Sequence, residues 1–218
     1  MKLKYIIILL LIINIIFYIY MINVKAISNN EYKVEEKTNN YKITVYYPKT
    51  DYSKLNNAIN DKMYEYIKEF KENVNKSTYP INQYYSLIIL YDVYEYDNYI
   101  SYMFRIEDYT GGAHPNHRIY TIVYDIKNNE IITIHDLINK NQNILNIFSE
   151  NSREVLKNNN RITSSTMLYE GTNPKIENFH NFVFSRNGII LFFQHYQVAP
   201  YSQGEFNVLI NYNKIKKH

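Results

Sequence analysis

Apolar and polar positions alternate through residues 41–47, where Ile43, Val45 and Tyr47 share one face, and Pro48 stops the run. This reads as the first strand. Ser53 stands where a helix cap belongs. Leu55, Ile59, Met63, Ile67, Phe70 and Val74 then recur at three- and four-residue spacing with Lys and Glu between them. That pattern predicts an amphipathic helix whose apolar stripe packs on a core. Residues 84–96 and 99–108 predict two strands joined by a tight Asp97-Asn98 turn. In the second, Ile100, Tyr102, Phe104 and Ile106 face one way, and Ser101, Met103, Arg105 and Glu107 the other, so one face should be buried and one solvated.

After a loop over 109–117, strands are predicted at 118–126 and 130–134 around Asn128-Asn129. A second helix is read at 144–157 from Leu145, Phe148, Val155 and Leu156. Polar loops follow at 158–165 and 170–174. Residues 182–185 and 188–198 flank Arg186-Asn187-Gly188 as a hairpin, and 205–212 closes the chain as a strand. The fold class is therefore α+β, with mostly antiparallel sheets and two main amphipathic helices. Residues 41–117 and 118–213 read as two subdomains packed as one unit.

The first 26 residues stand apart. Residues 5–24 form a charge-free run of 20, flanked by Lys2 and Lys4 on one side and Lys25 on the other. About 20 apolar residues suffice to cross a bilayer, and the basic flank keeps the N-terminus in the cytoplasm. Val24-Lys25-Ala26 offers small residues at the right offsets for signal-peptidase cleavage. Residues 1–26 are thus a signal peptide or a membrane anchor, with the anchor fitting the length better. Residues 27–40 read as a polar tether. Either reading puts everything after Ala26 outside the cytoplasmic membrane.

Charge and composition narrow the function. Of 24 basic residues three lie in that segment, so 21 remain against 21 acidic ones and the rest of the chain is formally neutral. A nucleic-acid binder would show a basic face. With no cysteine in 218 residues, thiolate metal sites, thiol nucleophiles and disulfides are excluded. The chain has no Gly-x-Ser-x-Gly elbow and no glycine-rich phosphate loop. No cofactor is expected.

Two segments carry candidate chemistry. In the first, Gly111 and Gly112 permit unusual backbone, Pro115 stiffens the exit, and His114 and Asn116 offer polar groups. His114 and His117 are spaced for a metal on a turn, although that spacing is unspecific and a hydrogen-bonded corner histidine is the commoner outcome. In the second, 192–204, His195, Tyr196 and Tyr201 sit in a strongly apolar run. If it is a strand, Phe193 and His195 share one face, and Gln194 and Tyr196 the other.

These segments also carry a resemblance. The runs TGGAHPN (110–116), Tyr124-Asp125, Ile134-His135-Asp136-Leu137-Ile138, Glu170-Gly171-Thr172-Asn173-Pro174, FFQHYQVAPYSQG (192–204) and Ile210-Asn211-Tyr212 occur in order, after a start at 43–48 with the Leu55-Asn56 helix. Over about residues 40–213 the chain resembles the paired domain of unknown function in the ectodomain of RsiV-type anti-sigma factors, which are lysozyme receptors. The same region precedes the catalytic domain of PdaC-type peptidoglycan deacetylases. With four residues before the apolar run, anti-sigma activity is not expected, and the metal-ligand motif of the deacetylase domain is not found. The resemblance implies a non-catalytic cell-envelope binding module, with lysozyme, peptidoglycan or another wall component as partner. It would bind through Gly111, Gly112, His114, Pro115, Asn116, His195, Tyr196 and Tyr201. Two alternatives remain: a metal-dependent hydrolase or deacetylase on wall glycan using His114 and His117, and a structural partner of another membrane protein.

Overall fold

The computed structural model describes residues 31–77 and 84–216. The apolar run at 5–24 and the expected cleavage near Ala26 lie outside them. Among the described residues no helix is long and apolar enough to cross a membrane.

Period-two alternation builds most of the chain into two sheets. The larger has the order β1-β2-β3-β4-β5-β6, from β1 (Glu31–Lys37), β2 (Tyr41–Pro48), β3 (Tyr85–Tyr96), β4 (Tyr99–Tyr109), β5 (Asn116–Asp125) and β6 (Glu130–Ile132). All neighbours are antiparallel except β2 and β3. A parallel pair needs a crossover, and α1 (Ser53–Lys76) stands between those two strands in sequence. The helix lays Leu55, Ile59, Met63, Tyr66 and Phe70 against Ile43, Val45, Leu87, Ile89, Phe104 and Tyr124 on the sheet's inner face. Fully burying each such side chain contributes about 1.5–3 kcal/mol.

The second sheet, β7-β8-β9, comprises β7 (Phe182–Ser185), β8 (Gly188–Phe193) and β9 (Phe206–Asn211), all antiparallel. It shares a core with α2 (Ile134–Lys140), α3 (Ile144–Leu156), α4 (Ser165–Gly171) and α5 (Ile176–Phe179), centred on Phe148, Phe179, Phe193 and Val208. A last short helix, α6 (Tyr212–Lys216), ends the described chain. Mixed α+β content with mostly antiparallel pairing is as expected.

Several expectations need correction. Residues 31–37 are not tether but an edge strand, held by seven register pairs to β2. The boundary placed between 117 and 118 falls inside β5, which belongs wholly to the larger sheet. The outer face of β4 is not solvated throughout, because Ser101 and Met103 are 0% exposed. The smaller sheet covers them: Met103 and Ile119 pack on Val183 and Phe192. The backbone N–H of Phe184 donates to Ser101 Oγ (3.4 Å) and that of Phe182 to Thr121 Oγ1 (3.0 Å). Ser53 does not cap α1. Asn56 ties the entry instead, its Oδ1 accepting from the Thr50 backbone N–H at 2.9 Å and its Nδ2 donating to Thr50 O at 2.7 Å. Val155 points outward from α3, and Ile147 takes the expected core place.

Candidate functional site

The β4–β5 hairpin ends in a loop that fits its glycines. Gly111 and Gly112 take φ of +104° and +113°, values that side chains disfavour. Tyr109 Oη donates to Gly112 O at 3.0 Å. The loop thereby carries His114 and Asn116 to the end of the sheet, between α1 and the segment that follows β8.

That segment is a turn, not the predicted strand. β8 stops at Phe193, and the Gln197 N–H donates back to Gln194 O at 3.1 Å. The Gln197 side chain fixes the turn by accepting from the Gln194 N–H and donating to Gly171 O and Asn178 O. Gly171 is required there, since a β-carbon on it would lie 1.9 Å from Gln197 O. The expected face-sharing of Phe193 with His195, and of Gln194 with Tyr196, is therefore lost. Tyr196 takes φ +66° and is 58% exposed.

Together the two segments and α1 enclose a cleft of about 320 Å³. His114, Asn116, His195, Tyr196 and Tyr201 all line it. Gly111, Gly112 and Pro115 shape its loop without lining it. His114 stacks on Tyr201 with centroids 3.7 Å apart, and its Nδ1 lies 2.9 Å from Pro115 O, which also accepts from Tyr201 Oη at 2.9 Å. His117 stacks on His195 at 4.7 Å, with its Nδ1 3.6 Å from Glu107 Oε2. Burial, and secondarily the neighbouring His117, push the His195 pKa below the usual imidazole value. Burial likewise pushes the Tyr201 hydroxyl up.

Four lining residues were missed from the sequence: Glu69 and Asn73 on α1, Asp108 on β4 and Arg118 on β5. Arg118 Nη1 donates to Glu69 Oε2 at 2.7 Å and Nη2 to Asp108 Oδ1 at 3.1 Å. Its guanidinium lies over Tyr66 at 4.9 Å. Asp108 is 4% exposed, and its Oδ2 accepts from Asn116 Nδ2 at 3.2 Å. Arg118 Nε is buried with no hydrogen-bond partner. Only the position of Arg118 beside His117 could have singled out any of the four.

Among the described residues no group of three His, Asp or Glu side chains is arranged to hold a metal ion. His114 stacks on Tyr201, and His117 on His195 with Tyr201 also nearby at 5.9 Å. The arrangement is a polar, aromatic-edged cleft suited to holding a small ligand.

Residues 34–117 match the family model described as deacetylase PdaC, and residues 135–213 match the one described as protein of unknown function DUF3298. Both match the resemblance read from the motifs. The chain is 28% identical over 187 residues to the peptidoglycan-N-acetylmuramic acid deacetylase PdaC of Bacillus subtilis (strain 168), a match covering 83% of this chain and 39% of that protein. The chain thus spans well under half of that relative. Two crystal structures share its fold. A DUF3298 family member from Bacteroides fragilis aligns at TM-score 0.58 and 18% identity, over 86% of this chain and 91% of that one. A DUF3298 family protein from Pseudomonas aeruginosa PAO1 aligns at TM-score 0.64 and 14% identity, over 85% and 92%.

Proposed function

We propose that this chain, PdaC-like over residues 34–117 and DUF3298-like over 135–213, is a cell-wall-associated binding module that acts outside the cytoplasmic membrane without catalysis of its own. One observation carries the reading: the cleft draws its walls from both matched regions, Glu69 to His117 from the first and His195 to Tyr201 from the second. A cleft built jointly gives the two regions a reason to occur together. The N-terminal apolar segment supports export, as a signal peptide or an anchor through residues 5–24. The relative's name supports a wall component as partner, with peptidoglycan ahead of lysozyme, since a neutral exported part offers no overall electrostatic steering toward a basic protein.

A deacetylase or hydrolase centred on His114 and His117 ranks second. Its two imidazoles would have to leave Tyr201 and His195 to meet at one metal.

Co-sedimentation of the purified protein with isolated wall sacculi, alongside calorimetric titration with lysozyme, tests the proposal. Saturable binding to sacculi with no release of acetate or sugar is expected. Absence of binding to both partners would overturn the binding module, and steady release of acetate would overturn the non-catalytic reading.

A further inference from the structure

Tyr196 is the unexplained residue of the cleft. It holds a left-handed backbone conformation that disfavours any side chain, yet its ring is not spent on the core. Its ring lies 5.5 Å from that of Tyr201 between centroids, and the residue is 58% exposed. The Gln194–Gln197 turn accounts for the positive φ, but glycine or asparagine would be less strained there, and a tyrosine held exposed at a cleft rim offers its ring to something else. Sharing the cleft with it are flat polar groups: the amides of Asn73 and Asn116 and the Glu69–Arg118 pair. An aromatic face beside amide, carboxylate and guanidinium planes suits a pyranose ring. One side of such a ring is a patch of C–H bonds, and its rim is hydroxyls that both donate and accept.

The charges choose among sugars. Arg118 is already shared between Glu69 and Asp108, and Glu107 lies beside His117. A carboxylate or phosphate entering the cleft would meet these acidic groups, while both Arg118 Nη atoms are committed to them and its unpaired Nε is buried. The volume, about 320 Å³, is at the small end of ordinary ligand sites and leaves room for a sugar ring and its immediate neighbour.

We infer that the cleft is a saccharide subsite in which Tyr196 stacks on one pyranose unit of a neutral glycan chain while Asn73, Asn116 and the Glu69–Arg118 pair take its hydroxyls. The inference rests on the wall-binding reading and deepens it. The ligand is held by stacking and hydrogen bonds, so affinity is insensitive to moderate salt.

The test is calorimetric titration of the full protein with the neutral tetramer of β-linked N-acetylglucosamine, for the wild type, Tyr196→Phe, Tyr196→Gly and a control at the exposed helix residue Tyr64→Ala. Glycine accepts the positive φ freely, so Tyr196→Gly keeps or raises the thermal midpoint and its fold is not in question. Saturable binding is expected, retained in Tyr196→Phe and Tyr64→Ala and weakened about tenfold in Tyr196→Gly. Equal affinity of Tyr196→Gly and wild type would overturn the stacking role. Binding to sacculi without binding to the tetramer would overturn the saccharide subsite and leave the wall-binding module standing. Failure to bind either would overturn both.

Discussion

His195 shows how much a single residue of the cleft reports. It sits in a turn that packs it on His117, from the other sheet, at 4.7 Å. Burial, with His117 adding to it, holds its pKa below the 6.5 of a free imidazole, while Glu205 pulls weakly the other way. The unfolded chain therefore takes up this proton at a higher pH than the native one does. Stability from this group is complete above about pH 6.5 and declines as pH falls through that value toward the lowered native one. Urea midpoints measured at pH 7.5 and 5.5 should drop on acidification, and His195→Gln should reduce the drop. An equal drop in both proteins would contradict the assignment. The position of His195 was legible as a polar residue inside an apolar run. Its partner was not, because ring stacking between residues far apart in sequence leaves no local pattern. The same holds for Tyr196: alternation predicted a strand, and the Gln197 side chain bonded to Gly171 and Asn178 makes a turn instead.

At the scale of elements, α1 and the β4–β5 hairpin are joined by Arg118. Glu69 on the helix and Asp108 on β4 both accept from it. Burial works against the Arg118 charge, but the Glu69 hydrogen bond and the nearby Asp108 outweigh it and raise its pKa. Removing the cation strands a nearly buried carboxylate. Arg118→Met should cost about 2 kcal/mol of unfolding free energy, toward the lower end because the guanidinium is partly solvated. Asp108→Asn in the same background should recover part of the loss. Chemical denaturation of the two single variants and the double variant checks this, and strict additivity would contradict the coupling. Both elements were legible: α1 from its three- and four-residue spacing, β4 from alternation. Their contribution to the cleft was not, because Glu69 reads like any charge on a solvated helix face. Ser101 and Met103 read like a solvated strand face for the same reason: alternation reveals that a strand has two faces, not what lies over them.

For the whole molecule, the decisive feature is that the two sheets share a seam. Met103 and Ile119 pack on Val183 and Phe192, and Arg105, paired with Asp92 within its own sheet at 2.6 Å, reaches across to Glu205 at 3.1 Å. The cleft opens at one end of that seam. The Asp97-Asn98 turn joins β3 to β4 at the opposite end of β4 from Asp108 and the cleft, which makes it a useful reference segment. The central claim is that a wall component is recognised where the two matched regions meet. Amide hydrogen exchange of the protein, with and without solubilised wall glycan, tests it most directly. The prediction is slowed exchange in both 109–118 and 194–204, with the hairpin end at 94–101 unchanged. Protection confined to 94–101, or no protection in either loop despite binding, would contradict it.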